Sequence, residues 1–229
     1  MKPENKTIVF TGGHHNSALV IALALKKEGY NLAWIGHKFT QKGSKAISAE
    51  YSEVVRHDIP FYELKTGKFY RRLNPLEFLK IILGFFQSFF YLRQIKPALI
   101  FSFGGYLAVP VVIVGWLLRI PVLTHEQTVT AGWANKAISP FVKKIFLTHQ
   151  SSLANYPKDK SIVTGLPIRP ELLQAIPAKK NLIYITCGKQ GSHIINTNLF
   201  PLIPKLLPDY QIIHQTGVST LNSDQERAR

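Results

Sequence analysis

Short apolar runs and longer apolar-periodic stretches alternate along this chain, and the alternation predicts β-strands followed by helices. Thr7 to Thr11 reads as a strand ending at Gly12-Gly13, and a helix capped by Asn16 or Ser17 follows through Leu25 towards Gly29. Leu32 to Ile35 and Phe61 to Leu64 read as further strands. Pro75 to Ile95 reads as a helix that is apolar around much of its circumference, with Gly84 a candidate break. Strand Leu99 to Phe103, helix Leu107 to Leu118, strand Pro121 to Thr124 and helix Gly132 to Ser139 come next. Strands Lys144 to Leu147 and Ile162 to Val163 close this half. Such alternation implies a parallel sheet covered on both faces, with ligands bound beyond the C-terminal strand ends.

The pattern breaks between Pro170 and Lys180 and then restarts. Strand Leu182 to Thr186, loop Cys187 to Gly191, helix Ile194 to Leu207 and strand Gln211 to His214 lead into a polar segment, Ser219 to Arg229. About fifty residues are too few for a second doubly wound domain of ordinary size. The expected organisation is therefore a domain over 1–170, a linker over 171–180, and an incomplete second Rossmann-like domain over 181–229. Ala98 to Leu118 is uncharged and near the length of a membrane span, yet Gly104-Gly105 and Pro110 favour a buried strand–loop–helix unit.

Composition narrows the classes. The 229 residues are 46% hydrophobic and 18% charged, which suits a sizeable core and argues against wholesale disorder. One cysteine, Cys187, offers no internal disulfide or zinc cluster, and the polar start at Met1 to Lys6 does not resemble a signal peptide, so a cytoplasmic location is expected. The balance of 28 Lys+Arg against 13 Asp+Glu, a net charge of +15, points to a polyanionic partner: nucleic acid, an anionic membrane surface or a phosphorylated substrate.

Three glycine loops each follow a strand and precede a helix: Gly12-Gly13-His14-His15, Gly104-Gly105-Tyr106 and Gly188-Lys189-Gln190-Gly191. Glycines let backbone amides approach phosphate oxygens, while the helix behind adds partial positive charge. Tight turning alone would also explain any one of them. The dinucleotide spacing G-x-G-x-x-G is absent and no carboxylate follows Gly36-His37-Lys38, which argues against an NAD enzyme. His125-Glu126-Gln127, just after a predicted strand, offers a carboxylate and an imidazole that could position sugar hydroxyls, handle a proton, or simply bond local backbone. No metal motif is present, so no protein-held metal is expected. From Lys65 to Arg93, cations such as Arg71 and Arg72 mix with Leu76, Leu79 and Phe86, a composition suited either to an interfacial membrane contact or to a core helix with a basic edge.

In series, these motifs resemble the MurG family (glycosyltransferase family 28). The residues are Gly12-Gly13-His14 with Ala18-Leu19, Gly104-Gly105-Tyr106 with Pro110, and Ile120-Pro121-Val122 into His125-Glu126-Gln127. Ala131-Gly132 with Asn135-Lys136, then Gly165, Pro167 and Arg169, then Gly188, Gln190-Gly191, Asn196 and His214-Gln215-Thr216-Gly217 follow. The resemblance implies an α/β chain of GT-B architecture, with a Rossmann-like acceptor domain and the start of a donor domain. It implies inverting transfer of N-acetylglucosamine from UDP-GlcNAc to a polyprenyl-pyrophosphoryl-muramyl acceptor in peptidoglycan synthesis, at the cytoplasmic face of the membrane.

The resemblance also assigns roles. His14 and Glu126 match catalytic positions, with His14 either a base or a pyrophosphate ligand. Gly12, Gly13, Gly104, Gly105, Tyr106 and Asn135 fall on the acceptor side, and Arg169, Lys189, Gln190 and Gly191 on the donor side. Arg71, Arg72, Leu76, Leu79 and Phe86 would form the membrane patch. No cofactor is expected besides the nucleotide-sugar substrate. The chain departs from the family pattern in a shorter first glycine loop and in Thr128, Leu166 and Lys189. It also lacks the later donor segment, so it is not expected to be competent alone. A non-catalytic membrane- and acceptor-binding subunit that recruits a separate donor subunit is the alternative. A nucleic-acid binder ranks last, for want of any reader motif.

Overall fold

In the computed structural model, residues 6–39, 47–67, 75–174, 181–187, 191–217 and 223–228 are described. The chain divides into two compact units, Met1–Pro170 and Glu171–Arg229. The first is a seven-stranded parallel sheet in the order β3-β2-β1-β4-β5-β6-β7. Its strands are β1 (Thr7–Thr11), β2 (Asn31–Gly36), β3 (Phe61–Glu63), β4 (Leu99–Ser102), β5 (Val122–Glu126), β6 (Lys144–Leu147) and β7 (Ser161–Val163). Its helices are α1 (His15–Lys27), α2 (Ala49–Arg56), α3 (Pro75–Ile95), α4 (Ala108–Leu117) and α5 (Trp133–Ile138).

The period of two along each strand sends alternate residues to opposite faces. Val9, Ile35, Ile100, Val122 and Ile145 pack with Leu92 of α3, Val111 and Val112 of α4, and Ile138 of α5. Ile8, Phe10, Trp34 and Phe101 pack on the other side with Ala18, Leu19 and Ala22 of α1 and Val54 of α2. Both faces are apolar because both are covered, as a parallel sheet requires.

Several expectations are corrected. The residue that precedes α1 is His14, not Asn16 or Ser17, and it gives no side-chain cap. Ser17 is instead buried and donates to Gln127 Oε1 at 3.0 Å. α2 is an element outside those the apolar pattern predicts; Ser48 caps it by accepting from the Tyr51 amide at 3.1 Å. Gly84 does not break α3. A Cβ there would stand 2.5 Å from Thr66 Oγ1, so this glycine permits close packing on the preceding loop. β5 runs two residues further than expected, which puts His125 and Glu126 on the strand itself. Ala98 to Leu118 is indeed β4, its loop and α4.

The second unit carries a two-stranded parallel sheet of β8 (Leu182–Thr186) and β9 (Gln211–Gln215). The single expected helix over Ile194 to Leu207 is two, α6 (His193–Leu199) and α7 (Ile203–Leu206), separated around Pro201. A short α8 (Asp224–Arg227) follows.

Candidate functional site

In a sheet of this order, the chain leaves β1 towards one side and β4 towards the other, so a crevice opens beyond their C-terminal ends. The first two glycine loops line that crevice. Gly12 has φ +132°, and a Cβ would lie 2.6 Å from the Phe103 backbone, so only glycine lets the two loops approach. The Gly13 amide donates to Gly104 O at 2.9 Å, and the Phe103 amide donates to Thr11 O at 2.7 Å. The Gly104 amide donates to Ser102 Oγ at 3.2 Å. The amides of Gly13 and Gly104 are thus engaged in bracing the loops, and these glycines shape the crevice rather than supply its donors. The first turn of α1 begins beside these loops, and His14, the residue before it, makes no side-chain cap.

His14 stands at that turn, its carbonyl accepting from the Ala18 amide at 3.2 Å. His125, on β5, is buried, its ring centroid 5.6 Å from that of Phe103. Burial lowers the His125 pKa, and the charge of His14 lowers it further, against opposing contributions from Gly165 O and Glu126. His125 Nε2 lies 3.1 Å from Gly165 O, while Nδ1 is buried without a hydrogen-bond partner. Tyr106 meets a residue outside the expected set, His37 at the end of β2, with Oη and Nε2 2.6 Å apart.

Glu126 is the best-bonded side chain here. Oε1 accepts from the Thr128 amide at 3.0 Å and its hydroxyl at 2.7 Å. Oε2 accepts from the Gly132 amide at 3.1 Å, Asn135 Nδ2 at 3.0 Å and Tyr156 Oη at 2.7 Å. Burial alone would raise its pKa, but the hydrogen bonds from Thr128, Asn135 and Tyr156 outweigh it and hold the carboxyl at about 2. Burial, and then the hydrogen bond to Glu126, push the Tyr156 hydroxyl pKa up. A carboxylate this saturated and only 2% exposed has no lone pair to offer a proton in transit. Glu126, expected as a catalytic residue, pins the segment 128–135 beside the glycine loops. Asn135, held by Glu126, fills the space over Gly104, where a Cβ would meet its amide at 2.7 Å.

The remaining expected residues disperse. Arg169 lies on the first unit, where Nη2 is 3.7 Å from Glu53 Oε2, an oxygen that also faces His15 Nε2 at 3.6 Å. Gly191 belongs to the second unit, in a left-handed conformation (φ +77°) packed on the Thr216 carbonyl. Lys189, Gln190, Arg71 and Arg72 lie outside the described residues. Leu76, Leu79 and Phe86 are exposed on α3, whose buried stripe is Gly84, Ser88 and Leu92. By length and composition α3 is apolar enough to cross a membrane. Among the described residues, no group of three or more His, Cys, Asp or Glu is placed to hold a metal. A mainly apolar groove of about 700 Å³ is lined by Ile8, Phe101, Leu123 and Phe146, with Lys6 and His125 among its polar walls.

Comparison with known proteins decides the family. Residues 7–147, most of the first unit, match the model of the glycosyltransferase family 28 N-terminal domain. The chain belongs to this family. It is 36% identical over 236 aligned positions to UDP-N-acetylglucosamine--N-acetylmuramyl-(pentapeptide) pyrophosphoryl-undecaprenol N-acetylglucosamine transferase 3 of Bacillus thuringiensis (strain Al Hakam), covering 95% of this chain and 64% of the relative. The transferase of the same name, unnumbered, from Legionella pneumophila (strain Paris) is 35% identical, with 95% and 62% covered. The crystal structure of Acinetobacter baumannii MurG superposes with a TM-score of 0.62 at 26% identity, over 96% of this chain and 61% of that one. This family 28 chain thus spans less than two thirds of the relatives it matches.

Sequence reasoning missed His37, Tyr156 and the saturation of Glu126. Tyr156 lies thirty residues from Glu126 and carries no motif, so only the fold brings it there. His37 had a signal, since it directly follows a strand at the ligand edge.

Proposed function

We propose that this chain is the acceptor-binding unit, with the start of the donor-binding unit, of an inverting transferase. It moves N-acetylglucosamine from UDP-GlcNAc to a polyprenyl-pyrophosphoryl-muramyl acceptor, the reaction for which its Bacillus and Legionella relatives are named. The observation that carries this reading is the pair of braced glycine loops at the switch point, beside the uncapped first turn of α1. A diphosphate seated there meets aimed amides and the positive end of a helix dipole. His14, on the same turn, accepts the proton of the acceptor hydroxyl as that oxygen attacks the anomeric carbon, and UDP leaves from the opposite side of the ring. An imidazole has the pKa range for this role near neutrality.

Gly12, Gly13, Gly104 and Gly105 shape the diphosphate seat, Tyr106 and Asn135 line it, and Arg169, Lys189, Gln190 and Gly191 serve the donor. The exposed Leu76, Leu79 and Phe86 of α3, with Arg71 and Arg72 nearby in sequence, dock the unit on the anionic cytoplasmic face of the membrane.

The test supplies the 229-residue chain with the C-terminal portion of a relative, radiolabelled UDP-GlcNAc and a polyprenyl-pyrophosphoryl-muramyl acceptor. Label should enter the lipid fraction, and His14→Ala should lower the rate by ~10²–10⁴ without altering stability by more than about 0.5 kcal/mol, since His14 makes no side-chain cap. Absence of lipid-borne label from the supplemented wild-type chain would overturn the reading, and near-normal turnover by the variant would remove His14 as base.

A further inference from the structure

β2 and β4 both neighbour β1, so their C-terminal ends stand roughly 10 Å apart at ordinary strand spacing. His37 directly follows β2, and Tyr106 follows the loop that leaves β4. Their side chains close that span: Tyr106 Oη and His37 Nε2 are 2.6 Å apart, and the ring centroids 5.6 Å. The contact therefore passes in front of the end of β1, where Gly12-Gly13 leads into α1. Gly105 agrees with this placement, since a Cβ on it would lie 3.2 Å from the Gly13 amide nitrogen. His37 is also held from behind, by α2 and the residue that caps it. Its amide donates to Glu50, which accepts from Trp34 Nε1 at 2.7 Å as well, and its carbonyl accepts from Ser48 Oγ at 2.7 Å. With its backbone fixed on both sides, His37 is a rigid support for the ring that meets Tyr106.

A phenol accepts from one group while donating to another, and a neutral imidazole is the donor when its Nε2 carries the hydrogen. His37 and Tyr106 are both half-buried, so water competes for their bond and its worth as a structural clasp is small. Beside an anion the balance changes. A donor to Oη directs the phenol proton elsewhere, and a hydrogen bond from that proton to a charged oxygen is about twice as strong as a neutral one. The start of α1, in front of which the pair lies, carries the positive end of a helix dipole, which favours an anion over a neutral hydroxyl. We infer that His37 is a positioning residue of the acceptor seat, whose Nε2–H holds the Tyr106 hydroxyl so that it donates to an oxygen of the acceptor's diphosphate. This rests on the acceptor-site reading above and deepens it, adding a residue outside the glycine loops that acts only through Tyr106.

The experiment measures, by calorimetry, binding of the full 229-residue chain to geranyl diphosphate and to UDP, which separate a lipid-linked diphosphate from that of a nucleotide. His37→Phe keeps a ring and removes the nitrogen, while His37→Gln keeps an N–H donor at similar reach. His37→Phe and Tyr106→Phe should each weaken geranyl diphosphate binding about tenfold. The double variant should bind no more weakly than Tyr106→Phe alone, because His37 has nothing to act through once the hydroxyl is gone. His37→Gln should recover most of the loss, and UDP binding should respond to none of these changes. Urea unfolding checks that the variants fold; should His37→Phe not fold, His37→Asn, whose amide is too short to reach Oη, takes its place. A His37→Phe chain within twofold of wild type overturns the inference. So do losses that multiply in the double variant, a His37→Gln chain as weak as His37→Phe, or a loss confined to UDP. If the wild type does not bind geranyl diphosphate, the acceptor-site reading itself has failed and the inference with it, whereas the other adverse outcomes leave that reading standing.

Discussion

Glu126→Gln separates a buried anchor from a proton carrier. The carboxylate accepts five hydrogen bonds, two at Oε1 and three at Oε2. A glutamine can keep its oxygen on one side only. With the oxygen towards Gly132, Asn135 and Tyr156, its amide group faces the Thr128 N–H. The Thr128 hydroxyl can still donate to Thr130 O at 2.7 Å, but the Thr128 amide stays opposed by another donor. Losing the charge assistance of these bonds and leaving a buried donor unpaired costs about 3–5 kcal/mol. The same carboxyl supplies a pH signature. Its pKa falls from 4.5 to about 2 in the fold, so its stabilisation is present above pH 4.5 and lost as pH falls through about 2. At 1.36 kcal/mol per unit this amounts to ~3 kcal/mol. Urea unfolding followed by tryptophan fluorescence, between pH 7 and the acid limit of folding, should show a large loss at pH 7 and a gap from wild type that narrows below pH 4.5. A variant within about 1 kcal/mol of wild type, with the same pH slope, would refute the anchor argument and return Glu126 to the candidates for proton transfer.

Other outcomes follow from single positions. Gly12→Ala forces a side chain into the left-handed region and a Cβ onto the Phe103 backbone, and should cost more than about 2 kcal/mol in urea unfolding. Gly165→Ala is equally strained at φ +85° but meets nothing within 4 Å, and should cost only about 1 kcal/mol. Glu50 has the opposite sign from Glu126. Burial, partly offset by hydrogen bonds from Trp34 and the His37 backbone, raises its pKa to about 7, so its contribution is greatest below pH 4.5 and declines as pH rises through 7. Glu50→Gln should therefore stabilise the chain by ~1–2 kcal/mol at pH 8 and by little at pH 4, as read from denaturant midpoints. Replacing Leu79 and Phe86 together by glutamate should cut co-sedimentation with anionic vesicles at least fivefold with little change in stability, because both side chains are exposed.

Much of this molecule was legible in one dimension. Short continuous apolar runs such as Thr7–Thr11 and Leu99–Ser102, punctuated by paired glycines, are local signals that can be read without the rest of the chain. The Gly12-Gly13 and Gly104-Gly105 loops could be placed at strand ends for the same reason. What sequence could not decide is which groups face each other. His125 and Glu126 look equivalent in a string, yet alternation along β5 sends the imidazole against Phe103 and the carboxylate into a cage closed by Tyr156. That cage gives the carboxylate a bracing role that a string of residues does not show, because a carboxylate's chemistry depends on how many donors surround it. Likewise, the amide of Gly13 reads as a phosphate donor until the sheet order brings the two loops together and engages it with Gly104 O. Residue types and spacings are properties of the chain; occupancy of lone pairs and amides belongs to the packed structure, since partners ten to a hundred residues apart meet only when the sheet closes.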